Sequence, residues 1–272
     1  MQETKRNVTN ESDLQKIKEL RLMDDDFFSE ALDGKTEAVE YILNTVLERD
    51  DIKVKSTKAQ VEYKSATKRS IKLDIQAEDV HGRLMDIEIQ RSDKGSGVRR
   101  ARFHSSMIDR ALLSKGKDFE DLVDTYVIFI TEKDKFGMGI PLYHIERKIA
   151  EMDNALFGDG AHILYVNGEY RNLEHPVGSL MHDFNCKNAN DMVNPLLADE
   201  VRYLKETEGG RSQMSRILEE MRNEAAEKAK EEEKVNTALK MLARKRDSIE
   251  EIAEITGLSL EEVQKLADNQ KA

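Results

Sequence analysis

Residues 70–91 read SIKLDIQAEDVHGRLMDIEIQR and contain two alternating stretches separated by a turn signal. In both stretches apolar and polar side chains alternate, which is typical of β-strands with one buried face. His81-Gly82 lies between them and predicts a hairpin turn. In such an antiparallel hairpin, Asp74 and Glu88 lie on the polar face and approach each other closely.

Helical and strand patterns alternate on both sides of this hairpin. Before it, aspartates from Asp24 onward place negative charge where a helix begins, and Asp33-Gly34 separates two helical stretches. After it, helical spacing over 98–116 is followed by the apolar run 126–130, which is typical of a strand buried on both faces. Further strands are expected at 141–147 and 162–167. This order predicts an α/β fold with a mixed central sheet flanked by helices.

The C-terminal part of the chain is dominated by charged helical sequence. Residues 186–246 predict a helical extension, either a solvated amphipathic helix or a coiled coil that joins two chains. Residues 247–272 contain two capping boxes, beginning at Ser248 and Ser259, and predict a helix-turn-helix hairpin. Because acidic residues open its second helix, we favour a packing or protein-contact module over a DNA-reading helix.

Composition excludes several classes of protein. The net charge of −11 disfavours a passive nucleic-acid coat, because that affinity comes from Lys and Arg, but it does not exclude an enzyme. The single cysteine, Cys186, excludes an internal disulfide and a cysteine-based zinc cage. The sequence has no long apolar run and no signal-peptide pattern, so we expect a soluble, cytoplasmic protein without a membrane partner.

Several catalytic motifs are absent from the sequence. The histidines show no HxxxH or HxH spacing, which gives little support to a zinc site. There is no GxxxxGK[ST] or GxGxxG for a nucleotide cofactor, and no GxSxG for a serine hydrolase.

Asp74 and Glu88 are candidate metal ligands because of their chemistry and their support. Mg²⁺ prefers carboxylate oxygens and water, and a hydrolytic site needs those oxygens on rigid backbone, which adjacent strands supply. The same alternation also fits an ordinary solvated face that comprises Asp74, Asp86, Glu88 and Gln90. The residue pattern alone leaves both interpretations open.

Five sequence features occur in a recognisable order: Lys72-Leu73-Asp74, the turn with Gly82, the strand Asp86 to Gln90, the helix Arg100 to Ser106 and the apolar strand Tyr126 to Ile130. In this order and spacing, residues 24–150 resemble the PD-(D/E)XK nuclease superfamily, specifically its bacterial transposase-like and recombination-promoting nuclease group. The resemblance implies a restriction-endonuclease-like fold over residues 24–185, preceded by a polar segment, residues 1–23.

The resemblance also implies roles for the residues of the hairpin. Asp74 would be the first metal ligand, Glu88 the second acidic ligand, and Ile89 would contribute its backbone carbonyl. The implied cofactor is Mg²⁺, with Mn²⁺ as a substitute. Gln90 stands where most of the superfamily has a lysine that orients or activates the attacking water, and in this departure the sequence resembles the transposase-like subgroup, which uses glutamine. A neutral amide binds water but carries no charge to stabilise the transition state.

Two further residues are selected to complete the site. Lys72 lies two residues before Asp74 on the same strand, and its long side chain is able to carry a positive charge to the site. A solvated lysine is the alternative interpretation. Glu40, in preference to Glu37, is our choice for an additional metal ligand from the first helix pair, with a solvent-facing glutamate as the alternative.

Arg99, Arg100 and Arg102 form the densest basic patch of the core domain. Arginine suits phosphate because its guanidinium donates two parallel hydrogen bonds, so we expect these residues to bind a nucleic-acid backbone. Ordinary helix-surface charge is the alternative. His104 is expected to be structural.

Together these features predict a Mg²⁺-dependent DNA endonuclease that hydrolyses phosphodiester bonds. One alternative is a catalytically inactive protein that keeps the nuclease fold and binds protein or DNA. Another is a DNA-binding regulator that acts through the C-terminal hairpin. A homodimer formed through the charged C-terminal helices is a further prediction.

Overall fold

The computed structural model describes residues 11–64, 70–91, 95–113, 116–244 and 246–269. The chain divides into two compact units, Met1–Ser215 and Arg216–Ala272, which are described separately. Within the described residues, no helix has both the length and the apolar character needed to cross a membrane.

The first unit is built on a mixed sheet of six strands. In chain order they are β1 (Val54–Tyr63), β2 (Ile71–Asp79), β3 (Leu84–Gln90), β4 (Thr125–Thr131), β5 (Leu142–Ile145) and, after a small hairpin of β6 (Lys148–Ile149) and β7 (Ala155–Leu156), β8 (Ala161–Asn167). Across the sheet the order is β1-β2-β3-β4-β8-β5. The first three strands pair antiparallel, β4 pairs parallel with β3 and β8, and β5 is an antiparallel edge strand. The predicted mixed sheet is confirmed.

The predicted hairpin is confirmed as β2 and β3. Gly82 in its turn has a φ of +80°, a conformation that glycine adopts without a Cβ clash. The register pairs Gln76 with Asp86 and Ile75 with Ile87. The next position along this register brings Asp74 opposite Glu88, where the paired ladder ends.

Helices flank this sheet. Those of the first unit are α1 (Glu11–Glu19), α2 (Asp25–Leu32), α3 (Thr36–Val46), α4 (Val98–Leu112), α5 (Pro176–Asn185) and α6 (Pro195–Glu206), followed by the beginning of α7 (Glu208–Arg244). The predicted helix pair around Asp33-Gly34 is confirmed as α2 and α3. The helix predicted over 98–116 begins as expected and ends earlier, at Leu112.

The segment predicted to be polar, residues 1–23, contains α1 in its described part. Ile17 of this helix is 1% exposed and belongs to the core. The helix has nine residues, a length too short for its few apolar positions to establish a helical period.

The core beneath α4 fixes that helix over the middle of the sheet. Ala101 and Ile108 of α4 pack with Val127 and Phe129 of β4, and all seven residues of β4 are buried, as its apolar run predicted. Each fully buried Val, Ile or Phe side chain stabilises the fold by roughly 1.5–3 kcal/mol. The packing therefore fixes the helix face that carries Arg100 and His104 above β3.

In the second unit, the end of α7 is followed by α8 (Ile249–Thr256) and α9 (Leu260–Asn269). Both predicted capping boxes are present, from Ser248 with Glu251 and from Ser259 with Glu262. A small core of Ala238, Ile252 and Val263 joins the three helices. The helix-turn-helix hairpin is thus formed, while the domain boundaries predicted at 185 and 246 stay predictions.

Gly209 and Gly210 form a matched pair that tests how closely the start of α7 packs against α6. A Cβ at Gly210 would lie 2.1 Å from the backbone oxygen of Tyr203, whereas a Cβ at Gly209 would lie 3.4 Å from the Tyr203 hydroxyl. We expect Gly210→Ala to lower the free energy of unfolding by about 1–3 kcal/mol, because the backbone must shift. Gly209→Ala should raise it by up to about 1 kcal/mol, because alanine is the better helix former. Urea denaturation followed by circular dichroism measures both, and equal effects would contradict the close approach.

Candidate metal centre

The carboxylates of Asp74 and Glu88 each bind the backbone of the opposite strand at the point where the β2–β3 ladder ends. The backbone N–H of Asp74 donates to Oε1 of Glu88 over 3.2 Å. The backbone N–H of Ile89 donates to Oδ2 of Asp74 over 2.9 Å. Each carboxylate therefore satisfies a backbone donor of the opposite strand, and both side chains are fixed by this exchange.

The polar face of the hairpin is buried at this point. Asp74 is 6% exposed, and Asp86 and Glu88 are 0% exposed. Buried carboxylates are rare in proteins unless they are paired or bind a metal. The interpretation as an ordinary solvated face therefore does not fit Asp74, Asp86 and Glu88.

Asp25, at the start of α2, is an acidic residue of the site that the sequence did not single out. Its carboxyl group lies close to the carboxyl group of Asp74, and the two influence each other's pKa. Ser29, one turn further along α2, donates to the backbone oxygen of Asp74 over 3.4 Å. In the sequence, Asp25 belongs to a run of aspartates at the start of a helix, and Asp24 occupies the cap position of that run.

A chain of hydrogen bonds leads from α4 to the carboxylates. Arg100 donates from Nη2 to Oε2 of Glu88 over 2.9 Å, and from Nε to Nε2 of His104 over 3.2 Å. Nδ1 of His104 lies 3.1 Å from Oδ2 of Asp86. Because arginine only donates, Nε2 of His104 is an acceptor and Nδ1 carries the proton. His104 therefore links Arg100 to Asp86, and the structural role expected for it stays a prediction.

The carboxyl groups of this centre are strongly shifted. Burial, followed by the charges of Glu88 and Asp25, raises the pKa of Asp74 to about 9. Burial and the charge of Asp86 raise the pKa of Glu88 to about 8. Burial is also the main cause that raises the pKa values of Asp86 and Asp25. Crowded buried carboxylates disfavour their charged forms, and a bound cation relieves that cost.

The donor set fits a hard divalent cation. Carboxylate oxygens are the ligands that Mg²⁺ prefers, and this centre concentrates them on two adjacent strands. Oδ1 of Asp86 is buried and has no hydrogen-bond partner among the described residues. Asp86, Glu88 and His104 also offer ligand atoms that lie within 4.8 Å of one another.

Gln90 and Lys72 both lie near the centre. Gln90 is half-buried, and a Cβ on Gly95 would lie 1.4 Å from its Oε1, so the amide packs directly against that glycine. Lys72 is exposed, yet its charge is close enough to Asp25 to oppose the rise in the pKa of that carboxyl group.

Glu40 is placed elsewhere. Its carboxylate accepts from Lys53 Nζ at 2.7 Å and from the backbone N–H of Val54 at 3.0 Å. Val54 pairs with Asp79, five residues beyond Asp74 on β2, which corresponds to about 16 Å along the strand. The acidic residue that α2 and α3 bring to Asp74 is Asp25.

The three arginines of α4 have different surroundings. Arg99 and Arg100 line a groove beside the carboxylates, together with Lys72. Arg102 is exposed and lies two residues past Arg100, which is about 200° around the helix. The structure thus brings Arg99 and Arg100 to the centre and directs Arg102 away from it.

A second group of metal-ligating residue types consists of His182, Asp183 and Cys186. Both oxygens of Asp183 already accept backbone N–H groups, from Val193 at 2.7 Å and Asn194 at 2.8 Å. Burial raises the pKa of Cys186 to about 11, which keeps it a thiol. These contacts assign the group a structural role at the entry to α6.

The raised pKa values predict how metal-free protein responds to pH. A carboxyl group with a raised pKa holds its proton more tightly in the folded chain, so stability is lost as pH rises from its ordinary value towards its raised value. For Asp74 this window runs from 3.8 to about 9. In EDTA we expect the melting temperature to fall across this range, and Asp74→Asn to flatten the profile. Asp199→Asn, which alters an exposed carboxylate paired with Arg202, is the control. A wild-type melting temperature that rises with pH would contradict the shifts.

Comparison with protein families adds an independent finding. A family model described as PD-(D/E)XK nuclease family transposase matches residues 26–175, which is 150 of the 272 residues. The matched range contains the β2–β3 hairpin, α4 and the whole six-stranded sheet. The comparisons with curated proteins and with solved structures gave no match. This match, on the residues that carried the resemblance, shows that the chain belongs to the PD-(D/E)XK nuclease family transposases.

Proposed function

We propose that the protein is a metal-dependent DNA endonuclease that hydrolyses phosphodiester bonds at Asp74 and Glu88. The observation that carries the proposal is the convergence of buried carboxylates at the end of the β2–β3 ladder, with raised pKa values. Burial of this kind is costly, and perturbed carboxyl groups cluster at functional sites. The fold alone would not assign a reaction, so the proposal rests on this centre.

Asp74, Glu88 and the backbone carbonyl of Ile89 would hold Mg²⁺, or Mn²⁺ as its substitute. When bound, such an ion polarises a phosphate and lowers the pKa of a coordinated water. The two carboxylates accept hydrogen bonds from the backbone N–H groups of Asp74 and Ile89, and these bonds hold them in fixed positions for this task.

Different residues would orient the attacking water and stabilise the negative charge that develops in the transition state. Gln90 would orient the water through its amide, as the sequence predicts. Arg100 lies 2.9 Å from Glu88 with its charge fixed in place, and Lys72 carries a second positive charge near Asp25. Preorganised cations of this kind stabilise a transition state that gains negative charge.

DNA is the proposed substrate, bound along the cationic side of the centre. Arg99, Arg100 and Lys72 line the same groove, which supports phosphate contacts by these residues. Arg102 would contact phosphates outside this groove, since it is exposed and does not line it. Association of two chains through α7 stays a prediction.

A catalytically inactive nuclease-fold protein is the second candidate. Its support is the low positive charge of the chain, with a net charge of −11, and the neutral Gln90 at a position where most of the superfamily has a lysine. Calorimetry separates the two proposals. The absence of Mg²⁺ or Mn²⁺ binding at millimolar concentration, in wild type and Glu88→Ala alike, would favour the inactive protein.

Substitution of the proposed ligands tests the enzyme directly. We expect Asp74→Asn and Glu88→Gln each to lower the rate of plasmid nicking in Mg²⁺ by at least about 100-fold, because each removes a metal ligand. Glu40→Gln serves as a matched acidic control, since the Glu40 carboxylate contacts Lys53 and Val54. Gel analysis of supercoiled plasmid measures the rates, and EDTA should abolish the nicking. Equal nicking by wild type and Asp74→Asn would exclude this centre as the active site.

Gly95 provides a test of Gln90 that leaves Gln90 itself unchanged. A Cβ at Gly95 would occupy the position of Gln90 Oε1, so Gly95→Ala must displace the amide. The obstacle is the end of a flexible side chain, so we expect a change in stability below about 0.5 kcal/mol. The nicking rate should fall by about 100-fold, because the water loses its orientation, and Gln90→Ala should match it.

Gly97→Ala is the control for this experiment, because a Cβ at Gly97 meets nothing within 4 Å. Full activity in Gly95→Ala, together with loss of activity in Gln90→Ala, would show that the observed Gln90 position is not the working one.

A further inference from the structure

A groove with cationic and aromatic lining lies beside the carboxylates. It has a volume of about 570 Å³ and is lined by Lys72 from β2 and by Arg99, Arg100, Phe103 and His104 from α4. This volume lies within the range of about 300–1,000 Å³ that is usual for small-ligand sites. The proposed mechanism uses the cations of this groove that lie near the carboxylates. It gives no role to Phe103.

The helical period of α4 sorts its side chains into two adjacent pairs. Arg100 and His104 are four residues apart, and both contact the buried carboxylates. Arg99 and Phe103 are also four residues apart, on the neighbouring strip of the helix, and both line the groove. Arg100 and His104 therefore contact the metal centre, whereas Arg99 and Phe103 are available to a ligand in the groove.

Phe103 is partly exposed and does not belong to the core cluster beneath α4. Phe27, Phe28 and Phe129 are 0% exposed, whereas Phe103 is 36% exposed. Lys72 and Arg99, which share the groove with it, are exposed cations. An aromatic face flanked by cations is the lining that binds single-stranded nucleic acid, through base stacking and phosphate contacts.

We propose that this groove binds an unpaired nucleotide next to the phosphodiester that is cleaved. Its base stacks on Phe103, and the flanking phosphates contact Lys72 and Arg99. The base must be unpaired, because the faces of a base within a duplex are covered by its neighbours. The inference rests on the proposed nuclease function for the identity of its ligand. It predicts a preference for single-stranded or frayed DNA over intact duplex.

Fluorescence anisotropy with a labelled single-stranded DNA of about 12 nucleotides, a length that spans such sites, tests the proposal. Ca²⁺ replaces Mg²⁺, so that binding is measured without relying on cleavage. We expect Phe103→Ala and Phe103→Leu to weaken binding by about 5- to 150-fold, the usual contribution of one stacked base. Phe103→Leu retains an apolar side chain of similar size, which separates loss of stacking from loss of fold. Phe119→Ala, at a phenylalanine 76% exposed on the same unit, is the control.

A double-mutant cycle identifies the stacked base. One abasic position is moved along the oligonucleotide, and each version is titrated with wild type and with Phe103→Leu. At the stacked position, removal of the base should weaken wild-type binding and leave Phe103→Leu almost unaffected. Lys72→Gln and Arg99→Gln should each reduce the slope of log affinity against log salt by about 0.7.

Two results would overturn the groove proposal: equal affinity of Phe103→Leu and wild type for every oligonucleotide, or tighter wild-type binding to an intact duplex than to a single strand. Plasmid nicking is scored separately. Base coupling at Phe103 without nicking would retain the groove and reject the nuclease, whereas nicking without base coupling would reject the groove alone.

Discussion

The exchange of hydrogen bonds between Asp74 and Glu88 is the contact on which the centre depends. The Glu88 carboxylate accepts from the backbone of Asp74, and the Asp74 carboxylate accepts from the backbone of Ile89. These two hydrogen bonds lie at the end of the strand ladder. They connect the two strands there and keep the two acidic groups close together. Buried like charges repel, and this repulsion must be offset by partners on the helices above. Arg100 from α4 supplies a positive partner, whereas Asp25 from α2 adds a further acidic group.

The sequence was able to predict the two strands of the hairpin, because they follow from local alternation and from a turn at Gly82. It was not able to predict burial of the polar face, because a strand alternates in the same way whether water or a helix covers that face. The acidic partner from the helix pair shows the same limit. Both Asp25 and Glu40 lie on that pair, and only the packing of α2 and α3 on the sheet decides which one meets Asp74.

The contact between Asp86 and His104 could not be predicted from the sequence for a related reason. Asp86 alternates with apolar neighbours like any residue of the polar face, and its contact with His104 joins residues 18 positions apart. The available signal was the spacing of Arg100 and His104, four residues apart on a helix that follows the acidic strand. Such spacing predicts one shared helix face, and whether that face meets the strand depends on the packing of Ala101 and Ile108.

The neutral Gln90 changes how positive charge reaches the centre. A lysine at that position would bring a mobile ammonium on the strand itself, with a pKa that burial lowers. Arg100 comes instead from α4 and is held by Glu88, by His104 and by the backbone oxygen of Gly95. The direction of its guanidinium group is therefore fixed. Gln90 on the strand then needs only to form a hydrogen bond with water. A neutral amide that packs against a glycine is suited to that task.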